Sequence, residues 1–87
     1  MTENEIRERV FEILHRVAPE ANLEDLDPNQ NLREALDIDS FDFLNVLVGL
    51  NERLGLNIPE SDYRQVSTLK GMVAYLKQVH ALTNPIS

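Results

Sequence analysis

One serine in the chain stands where its hydroxyl could be put to chemical use. Ser40 follows Asp39 and opens a strongly apolar run that stops at Gly55. A serine at a helix start lies beside unpaired backbone N–H groups and the positive end of the dipole, which favour an attached anion such as a phosphate. Position alone leaves a plainer reading in place, with Ser40 a helix-start residue and Asp39 the cap. Other chemistries fail on spacing. Asp37-Ile38-Asp39 begins like a calcium loop, but Phe41 stands where the third oxygen ligand belongs, Asp42 where the glycine belongs and Val48 at the closing bidentate position. His15 and His80 stand on different helices with no second ligand at a metal-like spacing, and His80, near a helix C-terminus, suits the dipole. A serine hydrolase would need a base and an oxyanion hole that a small bundle can hardly organise, and no G-x-S-x-G is present. With no cysteine there is no disulfide framework, thiolate zinc site or cysteine nucleophile, so any thiol must be imported.

The elements that must position Ser40 follow from capping signals and apolar period. Thr2 with Glu5 three residues on makes a capping box, and Ile6, Val10, Ile13, Leu14 and Val17 recur at helical spacing until Pro19, which predicts a first helix over Glu3 to Ala18. From Pro19 to Asp39 no period is sustained. Leu23, Leu26, Leu32 and Leu36 are spaced as anchors there, so the stretch is expected to be an ordered loop, the kind that carries function or short helical turns. The second helix is expected over Ser40 to Leu54, stopped at Gly55 by a residue that tolerates left-handed backbone. A short element around Glu60 to Arg64 follows Pro59. A final helix over Thr68 to Leu82, with Ser67 as its cap, turns Leu69, Met72, Val73, Leu76 and Val79 inward. Asn84 to Ser87 should fray. The expected architecture is all-α: a four-helix bundle of three longer helices and one short one, with a single domain over 1–82 and a tail over 83–87. Met72 reads as core packing and Tyr75 as a rim residue with its hydroxyl in water. Gly49 and Gly71, inside helices, mark either close packing or slack.

On a helical wheel, Phe43, Val46, Leu47, Leu50 and Leu54 share the core sector of the second helix. Phe41, Leu44 and Val48 lie on its far side, beside Asn45 and Glu52, where a small bundle has nothing of its own to cover them. An exposed apolar strip of this kind marks a docking surface, unless the acidic loop folds over it.

Size and charge narrow the classes further. A chain of 87 residues has room for one core, which rules out a large catalytic cleft between domains. Apolar residues at 43% and charged residues at 26% are the balance of a folded protein. Fifteen acids against eight bases give a net charge of −7, which disfavours nucleic acid and anionic membrane surfaces. No apolar run is long enough to span a membrane, and the N-terminus lacks a secretory signal, so a monomeric cytoplasmic protein is expected. The charge is concentrated: residues 19–39 hold seven acids and one base, Arg33, for a local sum of −6.

The run Leu36-Asp37-Ile38-Asp39-Ser40-Phe41-Asp42 resembles the attachment motif of acyl carrier proteins, the phosphopantetheine-binding carrier family, in which a serine after an aspartate opens the second helix of a four-helix bundle. The resemblance covers nearly the whole chain, including Ile58-Pro59 and the Val66 to Leu69 opening of the last helix. It implies that a phosphopantetheinyl transferase, with transient magnesium, joins 4'-phosphopantetheine from coenzyme A to Ser40, and that Asp39 supports the modification. It further implies that the arm's thiol carries acyl groups between acyl-loading ligases or transferases and acyl-using synthases of fatty-acid, polyketide or related metabolism. The chain would be a substrate and a shuttle, not a catalyst, and its lack of cysteine leaves no competing thioester acceptor. The rival readings are an aminoacyl or peptidyl carrier of a nonribosomal pathway and an unmodified adaptor bundle. Two positions depart from the family pattern. Asp37 stands where glycine is common, and Asn45 and Asn51 stand where carriers of fatty-acid synthesis tend to have glutamates, leaving Asp42 and Glu52. Docking is therefore expected to rest on Phe41, Leu44 and Val48 more than on ion pairs, and to be comparatively insensitive to salt.

Overall fold

The computed structural model describes residues 2–83, with side chains described through Val79. The expected fraying of Asn84 to Ser87 and the dipole role of the His80 side chain lie outside the described residues. Those residues are all-helical: α1 (Glu3–Val17), α2 (Leu32–Ala35), α3 (Ser40–Leu54) and α4 (Leu69–Thr83), with a 3₁₀ turn at Leu23–Asp25 and a 3₁₀ helix at Glu60–Val66. No described helix is long and apolar enough to cross a membrane.

Each long helix starts where its cap dictates. The Glu5 N–H donates to the Thr2 hydroxyl and the Thr2 N–H to the Glu5 carboxylate, both at 3.2 Å, and hydrogen bonding from the Thr2 backbone, then from its side chain, holds the Glu5 carboxyl below its ordinary value. Asp39 caps α3, and Gly55 ends it in the left-handed region at φ 67°. The cap of α4 differs from expectation. Thr68, not Ser67, accepts from the Gly71 N–H at 3.0 Å, because the 3₁₀ helix runs on to Val66 and spends the Ser67 hydroxyl on the Arg64 carbonyl at 2.9 Å.

The core is one cluster in which α1 packs on both α3 and α4, and the 3₁₀ helix Glu60–Val66 packs on α4. Ile6, Val10 and Leu14 from α1 meet Val46 and Leu50 from α3 and Met72 and Leu76 from α4, all completely buried. Among the described residues no charged side chain is buried, and Tyr75 is the one buried side chain that bears a polar group, so the core holds by apolar burial. Leu54 and Val79, expected inside, are half-buried at its edge. The interior glycines mark close packing. A Cβ at Gly49 would lie 3.0 Å from Ile13 Cγ2, where α1 and α3 touch, and one at Gly71 would run into the Gln65 carbonyl oxygen.

The 19–39 stretch is ordered. Leu32 and Leu36 are buried, Leu23 and Leu26 half-buried, and α2 forms because the Asn31 side chain accepts from the N–H groups of Arg33 and Glu34 at 2.9 and 3.3 Å. Backbone bonds hold this stretch to the opening of α4: the Leu32 N–H donates to the Ser67 carbonyl at 2.7 Å, the Lys70 N–H to the Pro28 carbonyl at 2.9 Å, and Asn31 bridges Thr68.

Tyr75 is a correction. It is buried, not at the rim, and its hydroxyl donates to Asp62 Oδ2 at 2.7 Å, which pins the 3₁₀ helix to α4. Burial, then that hydrogen bond, then the Asp62 charge push its pKa up to about 12.

Candidate functional site

The approach to Ser40 is a closed turn. Past the last residue of α2, the Asp37 N–H donates to the Glu34 carbonyl at 3.3 Å and the Ile38 N–H to the Arg33 carbonyl at 3.0 Å. These two bonds make a Schellman motif, whose left-handed residue is Asp37 at φ 53°. The turn leaves Asp39 extended at φ −89°, ψ −177°, from where its Oδ1 accepts the Asp42 N–H at 2.9 Å and its carbonyl accepts the Phe43 N–H at 3.1 Å. Asp39 is thus a helix cap, with its second carboxylate oxygen uncommitted among the described residues.

Ser40 comes next, exposed, as the first residue of a fifteen-residue helix. Its hydroxyl makes no hydrogen bond to any described residue. It lines a cavity of about 390 Å³ between α3 and the 3₁₀ helix Glu60–Val66, with Phe43, Leu44 and Tyr63 as apolar walls and Asn31, Arg33, Glu60, Arg64 and Ser67 as polar ones. Leu44 and Tyr63 also line a second cavity of about 380 Å³ further along α3, with Leu47, Val48, Asn51, Glu52, Asn57 and Ile58. An available hydroxyl, a positively polarised helix start and a roomy cavity lined by two arginines and one glutamate suit an attached phosphate-bearing arm.

The apolar strip is open. Phe41 is 76% exposed, Val48 54% and Leu44 41%, and the acidic loop, held against α4 by its backbone bonds, does not cover them. Asn45 and Glu52 are exposed on the same side. Asp42 is not with them: half-buried, it lines the cleft on the loop side of the helix with Asp37 and Glu20. Among the described residues, no cluster of histidine and carboxylates could hold a metal ion.

Sequence reasoning missed Arg33, Tyr63 and Arg64 at this site. Arg33 was visible as the one base in an acidic stretch, but nothing in the spacing of Tyr63 and Arg64 foretold that a 3₁₀ helix would bring them to Ser40.

The chain matches the protein family described as "Phosphopantetheine attachment site" over residues 5–76. It is similar to the acyl carrier protein of Campylobacter hominis, with 32% identity over 87% of this chain and 90% of the relative. It is likewise similar to the acyl carrier proteins of Acidothermus cellulolyticus, at 28% over 87% and 89%, and Helicobacter hepaticus, at 26% over 75% and 83%.

Proposed function

This chain belongs to the phosphopantetheine attachment-site family of acyl carrier proteins, which carry covalently attached 4'-phosphopantetheine and are not themselves catalysts, and from that premise we propose that Ser40 is the attachment residue and that the chain shuttles acyl groups between enzymes of fatty-acid, polyketide or related metabolism. When bound, the arm supplies a thiol that holds an acyl group as a thioester. The observation that carries the assignment is the state of the Ser40 side chain, exposed at a helix tip with its hydroxyl bonded to no described residue.

In the modification, Ser40 Oγ forms a bond to the pantetheine-bearing phosphorus of coenzyme A, the pyrophosphate linkage breaks, and adenosine 3',5'-bisphosphate leaves. The hydroxyl proton passes to a base of the transferase, since no described residue of this chain is hydrogen-bonded to that hydroxyl. Asp39 keeps the helix start in place through Oδ1 and offers Oδ2 to the metal that the transferase brings. Partner enzymes then dock on the face made by Phe41, Leu44 and Val48, flanked by Asn45 and Glu52.

Intact mass after incubation with coenzyme A, magnesium and a broad-specificity transferase tests the assignment. A gain of one phosphopantetheine in the wild type and none in Ser40→Ala is expected. A wild type that stays bare with every transferase tried, or full function in Ser40→Ala, leaves an adaptor bundle instead. Loading with acyl as against aminoacyl ligases then decides the cargo, with acyl loading expected.

A further inference from the structure

Arg33 and Arg64 both line the Ser40 cavity, and neither pairs with a carboxylate among the described residues. That is unusual company in a chain with fifteen acids and eight bases. Glu60 lines the same cavity, which leaves its walls with a balance of one positive charge.

The two arginines are far apart in sequence and held together by backbone. The Arg33 carbonyl accepts the Ile38 N–H at 3.0 Å, which fixes Arg33 to the turn leading into Ser40. The Arg64 carbonyl accepts the Ser67 hydroxyl at 2.9 Å, and the Ser67 carbonyl accepts the Leu32 N–H at 2.7 Å, next to Arg33. A short chain of hydrogen bonds thus holds the backbones of both arginines beside one cavity, which their exposed side chains can reach.

Resting on Ser40 as the attachment residue, we infer that Arg33 and Arg64 hold the phosphodiester that joins the arm to this chain, so that the root of the arm is kept in the cavity and does not swing freely from the helix tip. A phosphodiester carries one negative charge at neutral pH, and its two free oxygens suit the planar donor fork of arginine. Exposed ion pairs are individually weak. Here the anion is bonded to Ser40 itself and the contact is intramolecular, so its effective concentration is high without further binding energy. A partner enzyme, or salt, releases the arm by competing for the two arginines.

The test uses the full chain loaded from coenzyme A labelled with ¹⁵N in the pantetheine amides, with attachment at Ser40 first confirmed by intact mass. The amide nearest the phosphate should show an order parameter above about 0.6 in low salt, and should fall below that value in Arg33→Gln/Arg64→Gln, whose substituted side chains are exposed. The wild type needs no mutation to be tested: raising salt to about 1 M, where the Debye length is about 3 Å, should produce the same fall. An order parameter already low in the wild type, or indifferent to both the substitutions and salt, overturns the inference. So does ordering that appears only once a carboxylated acyl group is loaded, since the anion held would then be the cargo. No mass gain at Ser40 would instead refute the attachment assignment.

Discussion

Two helix starts in this bundle each have a serine nearby, and the fold treats them in opposite ways. At α4 the Ser67 hydroxyl is spent on the Arg64 carbonyl, Thr68 caps the helix, Gly71 lies hard against the Gln65 carbonyl, and backbone bonds tie the junction to the loop. At α3 the cap is made by Asp39, and Ser40 is exposed with its hydroxyl bonded to no described residue. The difference lies in what surrounds each helix tip, not in the residue type. Where capping is delegated to a neighbour, as at Ser40, the hydroxyl stays available for the proposed modification, and where its hydrogen bond is used to hold segments together, as at Ser67, the serine is a joint.

The sharpest way to break this contrast is at Asp39, where the cap and the proposed support of modification meet. Asp39→Asn keeps a side-chain oxygen for the Asp42 N–H and removes the charge. Its melting temperature should stay close to wild type while the rate of phosphopantetheine transfer falls by about ten- to a hundredfold, the usual loss when a group supporting a metal is removed. Equal transfer rates for Asp39→Asn and wild type would show that Asp39 is a cap and nothing else.

At α4 the expected effect is on stability alone. Gly71→Ala places a Cβ against a backbone carbonyl that cannot move without opening the junction. Overpacking of this kind costs about 1–3 kcal/mol, and the better helix propensity of alanine offsets about 0.5–1 of it. Urea unfolding should therefore show a net loss of about 1–2 kcal/mol, with transfer to Ser40 unchanged.

A smaller loss of about 1 kcal/mol is expected for Tyr75→Phe, which removes the hydrogen bond to Asp62. The sign with pH follows from the raised hydroxyl. Unfolded tyrosine releases its proton near 10, and Tyr75 keeps its proton to about 12. Its contribution is full below pH 10 and is lost as pH rises from 10 towards 12. Chemical denaturation across that window should show a decline in the wild type that is shallower in Tyr75→Phe.

How much of this was legible in the sequence divides along the same line. The Thr2–Glu5 box, the apolar period of α1 and α3 and the stop at Gly55 are local signals, and the helices begin and end within a residue or two of them. The open strip of Phe41, Leu44 and Val48 was legible because α3 has more apolar residues than one buried face can hold. What escaped were pairings set by tertiary structure. Tyr75 finds Asp62 across thirteen residues, and Arg33 and Arg64 come to line one cavity because the loop bonds to the α4 junction. The choice of Thr68 over Ser67 as cap was hidden too, since two adjacent hydroxyl residues are equivalent until the 3₁₀ helix claims one of them.

The last contrast concerns the turn that delivers Ser40. A Schellman motif needs a left-handed residue, glycine occupies that position at little cost, and this chain places Asp37 there at φ 53°. Left-handed backbone costs an ordinary L-residue about 1–2 kcal/mol, and less for aspartate, whose short polar side chain tolerates it. Asp37→Gly relieves that strain and also removes an acid from the cleft that Glu20 and Asp42 share, while glycine's larger loss of freedom on folding works the other way. A net gain of about 0.5 kcal/mol is expected by urea unfolding. If the turn serves only to aim Ser40, transfer by a given phosphopantetheinyl transferase should be unchanged in this variant. A changed preference between two transferases, with the fold intact, would mean that the Asp37 carboxylate is itself read by the modifying enzyme, and the α3 junction would then be specialised by charge as well as by its uncommitted hydroxyl.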